Sequence, residues 1–368
     1  MAKTNATTPR CISSTAVQVK LFFCYADVVE ESNFVSEGDI TAARQAFVDK
    51  AVAIIGYGNQ GRAHALNLRD SGVSVVIGAT ADSRGFARAE ADGFQPRDAA
   101  SASSEADLVI AALPDTQHAR LIPPLLEAMP NHAIIGFLHG FSVHFQLVSL
   151  PADRGLALLA PKGPGTALRG RYLEGMGIPA LLATREGARA GAAELVAIGW
   201  ADGVGCTRAG IVRTTFAAEA ETDLFGEQAV LCGGLMGLIR AAYETLVEAG
   251  YPPLVAYMEC AHEVKQIADL VCDRGLDGML GAISPTARFG AVDAAPRIVD
   301  DAVRARLRAM LVSVQDGSFA KRLEAETTAG WPKTSDLRRD LHTSGIEAAG
   351  CDMRALLPWL RAPQGSSR

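Results

Sequence analysis

Residues 51–61 read Ala51-Val52-Ala53-Ile54-Ile55-Gly56-Tyr57-Gly58-Asn59-Gln60-Gly61, an apolar run that passes directly into a GxGxxG turn. A helical pattern follows to about Asp70, Ser71-Gly72 stops it, and a second apolar run occupies residues 73–77. Alone, three glycines fit many turns, including a merely structural one. In strand, turn, helix, strand order they fit a dinucleotide-binding unit: Gly56 permits the tight turn, Gly58 lets backbone approach a pyrophosphate, and Gly61 packs helix on strand. The helix amino terminus then supplies the anion site. Gly56, Tyr57, Gly58, Asn59, Gln60 and Gly61 are therefore the expected cofactor contacts.

Working outward, residues 108–112, 133–137, 156–160 and 178–183 are further apolar runs separated by helical patterns. Such alternation predicts an α/β fold, a mostly parallel Rossmann-type sheet with helices on both faces. Past residue 214 the pattern becomes long and helical, so an all-helical C-terminal domain follows. The expected divisions are an N-terminal extension over 1–45, the NAD(P)-binding domain over 46–212, a helical metal- and substrate-binding domain over 213–361, and a flexible tail over 362–368. A length of 368 residues with 49% hydrophobic content supports two sizeable cores.

The net charge of -6 leaves no basic field for nucleic acid. Cysteines 11, 24, 206, 232, 260, 272 and 351 are scattered without a CxxC pair, which reads as reduced thiols. No convincing signal peptide precedes the first domain, and no apolar run of membrane-spanning length lacks a His, Lys, Pro or Gly interruption. A cytoplasmic protein without a membrane partner is expected.

The helical half carries two acid pairs, Asp223 with Glu227 and Glu259 with Glu263, each one helical turn apart. The first stripe continues through Val230 and Leu231, and the second is shared with Val255, Ala256, Ile267 and Leu270. Carboxylates on a core-facing apolar stripe must be paired, protonated or metal-bound. Either a metal site or a structural charge network satisfies that demand. Oxygen ligands without a His or Cys cluster point to Mg²⁺ or Mn²⁺. His262-Glu263 begins like HExxH, but Gln266 stands where the second His is needed.

Four separated motifs carry a resemblance: GYGNQGRAHALNLRDSG over 56–72, APKGPG over 160–165, ETDLFGEQAVLCGG over 221–234 and EAGYPPLVAYMECAHE over 248–263. In this collinear order the chain resembles the short form of ketol-acid reductoisomerase, also called acetohydroxyacid isomeroreductase. The resemblance implies Mg²⁺-dependent alkyl migration in a 2-hydroxy-3-keto acid, 2-acetolactate or 2-aceto-2-hydroxybutyrate, followed by NADPH reduction to the 2,3-dihydroxy acid in valine, leucine and isoleucine synthesis. It assigns Asp223, Glu227, Glu259 and Glu263 to two Mg²⁺ ions, with Glu227 also catalytic, and Gly165 to the cofactor side. His139, Lys162 and Ser284 match its catalytic and substrate-contacting positions, although each is also readable as an ordinary loop, surface or cap residue. It further implies a homodimer or higher homo-oligomer in which Glu259, Glu263 and Ser284 complete a partner's site.

Several positions depart from the family. Asn59 and Arg62 stand where Ser and His are usual, Thr166 replaces a His, and Arg288 occupies a position where an acid is usual. These leave open a diverged paralogue acting on a related substrate in a specialised pathway, or a non-catalytic NAD(P)-binding protein. The end of the second strand lacks the acid that would hold a ribose 2′-hydroxyl, while Ser83 and Arg84 could bind a 2′-phosphate and Asp82 would repel it. NADP is therefore the expected cofactor, with NAD as the alternative.

Overall fold

A computed structural model describes residues 33–187 and 193–357. Most of the expected extension, the last residues of the expected helical domain and the expected tail lie outside the described residues. Contacts divide the chain into two units, one holding residues 1–112, 128–138 and 151–215, the other residues 113–127, 139–150 and 216–368.

The first unit is built on a seven-stranded sheet: β1 (Ala51–Ile55), β2 (Ser74–Gly78), β3 (Leu108–Ala111), β4 (Ile134–Phe137), β5 (Leu156–Pro161), β6 (Ala180–Arg185) and β7 (Ile211–Arg213). Its order is β2-β1-β3-β4-β5-β6-β7, parallel throughout except that β6 runs antiparallel to β5. Strands β3, β4 and β5 are buried along their whole length, which is why they read as unbroken apolar runs rather than alternating ones. With β2 and β3 on opposite sides of β1, the chain reverses its direction of progress there. The crevice outside the carboxyl ends of β1 and β3 is thus the expected ligand position.

Helices α1 (Glu37–Phe47), α2 (Asn59–Asp70), α3 (Arg84–Ala91), α4 (Gly165–Leu173) and α5 (Ala193–Gly203) belong to this unit. Residues 36–45, read from the sequence as extension, form most of α1 and its cap, which packs into the core. Ser36 and Asp39 form a capping box, and Ile40, Ala43 and Phe47 are buried, with Phe47 so close to α5 that a Cβ on Gly199 would lie 2.5 Å from it. Arg213 of β7 ties the arrangement by donating to Asp39 and Glu194.

At the centre, the Trp200 indole N–H donates to His64 Nδ1 at 3.0 Å. His64 is fully buried, its Nε2 has no partner, and burial pushes its pKa down to about 3. The folded value is depressed, so the unfolded chain takes up the proton first. Stability from this site is complete above the unfolded value near 6.5 and is lost as pH falls toward 3. Denaturant midpoints of His64→Gln are expected to show a shallower acid slope than wild type, the wild-type loss from this residue being about 2 kcal/mol at roughly pH 5. Identical slopes would mean that His64 titrates alike in the folded and unfolded chain.

The second unit contains α6 (Phe216–Gly226), a π-helical segment Glu227–Leu231, α7 (Gly233–Glu248), α8 (Pro253–Tyr257), a second π-helical segment Met258–His262, α9 (Val264–Ala282), α10 (Pro285–Ile298) and four further helices from Asp301–Gln315 to Gly345–Leu356. Helix His118–Ala128 and the short helix Phe141–His144 also belong to it. Its described core is small, with Phe141, Leu224 and Val314 in one cluster and Tyr243, Ala256, Ile346 and Ala349 in another. The run Phe216–Glu248 is long and apolar enough to cross a membrane by length and composition, with mean hydropathy 1.4 over its most apolar window. Gly226, Gly233, Gly234 and Gly237 interrupt it, together with the acids Glu219, Glu221, Asp223 and Glu227.

Candidate active site

The nucleotide turn has the geometry its glycines require. Gly56 adopts φ +99°, a left-handed conformation, and its N–H donates to Gly78 O. A Cβ on Gly61 would lie 2.3 Å from Gly56 O, so only glycine lets α2 start so close to the strand end. Gly58 opens onto empty space and leaves the helix amino terminus without a side-chain cap, so backbone amides remain for an anion. Gln60 Nε2 donates to Gly163 O at 2.9 Å, whereas its Oε1 is buried without a partner. Such an orphaned acceptor beside open amides fits a ligand carrying hydroxyl or amide donors.

The APKGPG turn packs directly on this one. A Cβ on Gly165 would sit 2.2 Å from Asn59 O, so Gly165 is fixed by close approach of the two turns. Lys162 lies exposed on this turn, with its backbone N–H donating to Pro179 O. After β2, Ser83 caps α3 by accepting the Phe86 N–H, Arg84 is exposed in the first turn, and Asp82 has φ +64°. Asp107, which flanks β3, accepts from Lys50 and the Ala51 N–H and is a structural tie.

In the second unit, Glu219 is buried at 1% exposure and accepts from the Gly140 N–H at 2.7 Å and from His139 Nδ1 at 2.9 Å. Asp223 Oδ2 lies 3.8 Å from His139 Nδ1. His139, Glu219 and Asp223 present ligand atoms within 4.8 Å of one another, and this is the metal-type cluster among the described residues. Gly140 is required at this turn because a Cβ would meet Phe216 O at 2.3 Å. With Nδ1 donating to Glu219, the neutral ring carries its lone pair on Nε2, suited to accept a proton. Burial pulls the His139 pKa down, but the hydrogen bond and charge of Glu219, with Asp115 and Asp223, outweigh it and raise the value overall. Nearby, burial raises the Asp115 pKa and lowers that of His118, whose Nε2 donates to Leu113 O while Nδ1 accepts from the Ser142 hydroxyl.

Glu227 opens the first π-helical segment, Glu259 lies in the second, and Glu263 follows it directly. All three are exposed, so the structure brings Asp223 to His139 but does not bring the second acid pair into that cluster. The apolar stripes beside the acids are exposed in part, with Val230 at 62%, Leu231 at 64% and Val255 at 46% where the sequence pattern led us to expect core-facing helices, while Ala256 is buried and Ile267 and Leu270 are half-buried. Glu259 and Glu263 border an open groove of about 410 Å³ with Val264, Ile267, Ala268 and Val271. Ser284 is the N-cap of α10 and accepts the Ala287 N–H. Arg288 donates to the carbonyls of Leu280 and Gly281, so its guanidinium closes the carboxyl end of α9.

Glu219 is the residue that sequence reasoning passed over. Its signal was present, because Glu219, Asp223 and Glu227 continue one four-residue spacing, yet attention to the last two hid the first.

Comparison with known proteins agrees with these features. The model described as "Acetohydroxy acid isomeroreductase, NADPH-binding domain" matches residues 46–210, and "Ketol-acid reductoisomerase, C-terminal domain" matches residues 216–359. The chain belongs to the ketol-acid reductoisomerase family. The structure of an NADH-preferring ketol-acid reductoisomerase from an uncultured archean is similar over 88% of this chain and 99% of that one, with 36% identity and a TM-score of 0.85. A semialdehyde dehydrogenase NAD-binding protein from Cupriavidus necator, solved with calcium and NAD, shares the fold at 18% identity and a TM-score of 0.58, over 73% of this chain and 99% of that chain. Membership of the ketol-acid reductoisomerase family makes this protein an NAD(P)-dependent oxidoreductase with isomerase activity.

Proposed function

We propose that the protein converts 2-acetolactate or 2-aceto-2-hydroxybutyrate to the 2,3-dihydroxy acid by Mg²⁺-dependent alkyl migration and NADPH reduction, in branched-chain amino acid synthesis. The observation that carries this reading is the buried Glu219 orienting His139 beside Asp223. An oxidoreductase that only moves a hydride has no need of a carboxylate set for hard cations. Two Mg²⁺ ions, when bound, would polarise the adjacent carbonyl and hydroxyl oxygens of the substrate. Asp223 and Glu227 supply oxygen ligands for them, and His139 Nε2 receives or returns a proton. Lys162 serves proton transfer or steadies negative charge on the substrate oxygen.

Glu259, Glu263 and Ser284 complete the site in a homo-oligomer. Exposed Val230, Leu231, Leu235, Leu238 and Val255 support that assembly, because a large apolar surface on a helical unit calls for a covering protein face. The same covering accounts for the apolar Phe216–Glu248 run without a membrane, and we place the enzyme in the cytoplasm. Arg288, which stands where the family usually has an acid, is engaged in closing α9.

Metal-dependent oxidation of NADPH or NADH with 2-acetolactate tests the proposal. Turnover is expected to rise with Mg²⁺ and to vanish in EDTA. Undiminished turnover in EDTA would exclude the two-metal reading, and nucleotide binding without turnover would leave a non-catalytic binder.

For cofactor choice, the loop favours NADPH modestly. No acid ends β2, and exposed Arg84 with the Ser83 hydroxyl can meet a 2′-phosphate, opposed by Asp82. Arg84→Ala is expected to raise the KM for NADPH by roughly tenfold while leaving that for NADH nearly unchanged. A wild-type kcat/KM favouring NADH would make Asp82 the deciding residue instead.

A further inference from the structure

Tyr57, inside the nucleotide turn, is buried at 3% exposure, and its hydroxyl donates to Asp92 Oδ2 at 2.9 Å. Arg62, in the opening turns of α2, makes a two-pronged contact with the same carboxylate, Nε to Oδ2 at 2.6 Å and a terminal nitrogen to Oδ1 at 2.9 Å. Asp92 is the C-cap of α3, the eight-residue helix that begins with Arg84 and is capped by Ser83. The other end of α3 lies beside the turn as well, since a Cβ at Gly85 would be in ordinary van der Waals contact, 3.5–3.6 Å, with the Tyr57 main chain and Cβ. Arg69 adds a bond to the Asp92 carbonyl and lies over Phe94, whose ring meets Tyr57 edge-on. The Arg62 guanidinium holds the Asp92 carboxyl below the usual carboxylate range, so the contact is between full charges.

We propose that Tyr57, Asp92 and Arg62 form a clamp that holds α3 against the nucleotide turn, and that this clamp sets how sharply the enzyme distinguishes NADPH from NADH. The inference rests on the cofactor reading above. It does not depend on which nucleotide is preferred. With no acid at the end of β2, discrimination falls to the loop and first turn of α3, whose position relative to the pyrophosphate turn is fixed by α3 as a short rigid rod. Charge-assisted hydrogen bonds to a ribose or phosphate lose strength over displacements well under 1 Å, roughly 0.5 Å for a functional site, so a loosened rod blurs the choice. Asp92 and Arg62 act through α3 and are positioning residues.

The test uses the full-length enzyme and direct fluorescence titration with NADPH and NADH, alongside steady-state kinetics. Asp92→Asn keeps the side-chain shape and loses the charge. It is expected to raise the dissociation constant of the preferred nucleotide about tenfold and that of the other by no more than about twofold, with kcat at saturating nucleotide little changed. Arg62→Lys keeps the charge but loses the two-pronged geometry, and a smaller shift of the same ratio is expected; it also serves if Asp92→Asn does not fold. Equal changes for both nucleotides, or none, would overturn the clamp as a determinant of discrimination and leave only a structural tie. A wild type that binds neither nucleotide would overturn the cofactor reading itself, and the clamp with it.

Discussion

Asp223→Asn is expected to lower turnover of 2-acetolactate by roughly a thousandfold or more, because a divalent ion's polarisation of substrate oxygens contributes several kcal/mol and each 1.4 kcal/mol is a factor of ten. Asparagine keeps the shape of the side chain but removes the charge and one strong oxygen donor. Asp223 sits at 28% side-chain exposure, and an asparagine fits the same space beside His139. The fold should therefore survive, with an unchanged far-ultraviolet spectrum and unchanged nucleotide titration. Glu227→Gln is expected to behave alike, since Glu227 is exposed at the start of its π-helical segment. The decisive measurement is turnover against Mg²⁺ concentration in both variants. Near-normal rates at ordinary Mg²⁺ would show these acids to be a charge network rather than ligands.

The second large effect is expected from Lys162→Met, with kcat falling by about two to four orders of magnitude, the usual range for loss of a positioned proton-transfer group. The turn has ties that involve no lysine side chain. Its backbone is held by the Lys162 N–H on Pro179 O, the Gly163 N–H on Pro161 O, and Gln60 on Gly163 O. Nucleotide dissociation constants should accordingly stay near wild type. Single-turnover kinetics with saturating nucleotide would separate chemistry from binding, and a variant retaining most of its kcat would make Lys162 structural.

The parts of the fold legible in the sequence are those written by local rules. The GxGxxG turn declares itself because its backbone approaches are closed to any side chain, and fully buried parallel strands leave unbroken apolar runs. β7 was not legible, since Ile211–Arg213 is three residues whose strand identity comes from pairing with β6. Likewise the antiparallel direction of β6 is a property of the crossing, not of residues 180–185. Helix α1 was masked by exposed polar positions around only three buried ones, Ile40, Ala43 and Phe47.

At the candidate site, spacing found the acids but misjudged their surroundings. An apolar stripe says that a face is to be covered and does not say by which chain, so Val230 and Leu231 looked like core and are exposed. The four-residue spacing puts Glu219 in line with Asp223 and Glu227 but does not tell a buried acid from a solvated one. What marks Glu219 is burial against Gly140 and His139, which are some eighty residues away along the chain.

The two π-helical segments separate folding from chemistry. In each, the ring closes one residue late, Cys232 N–H onto Glu227 O and Glu263 N–H onto Met258 O, so one residue is accommodated as a local bulge. The helices beyond keep their faces because the surplus is absorbed on the spot. Deleting a single residue from 228–231 would thus convert the bulge to ordinary α-helix with little disturbance downstream, while Glu227 loses the widened turn that presents it. A chain shortened by one residue at the place where its acids stand is expected to keep its far-ultraviolet spectrum and lose turnover of 2-acetolactate, and retained turnover would show that the bulge has no part in the chemistry.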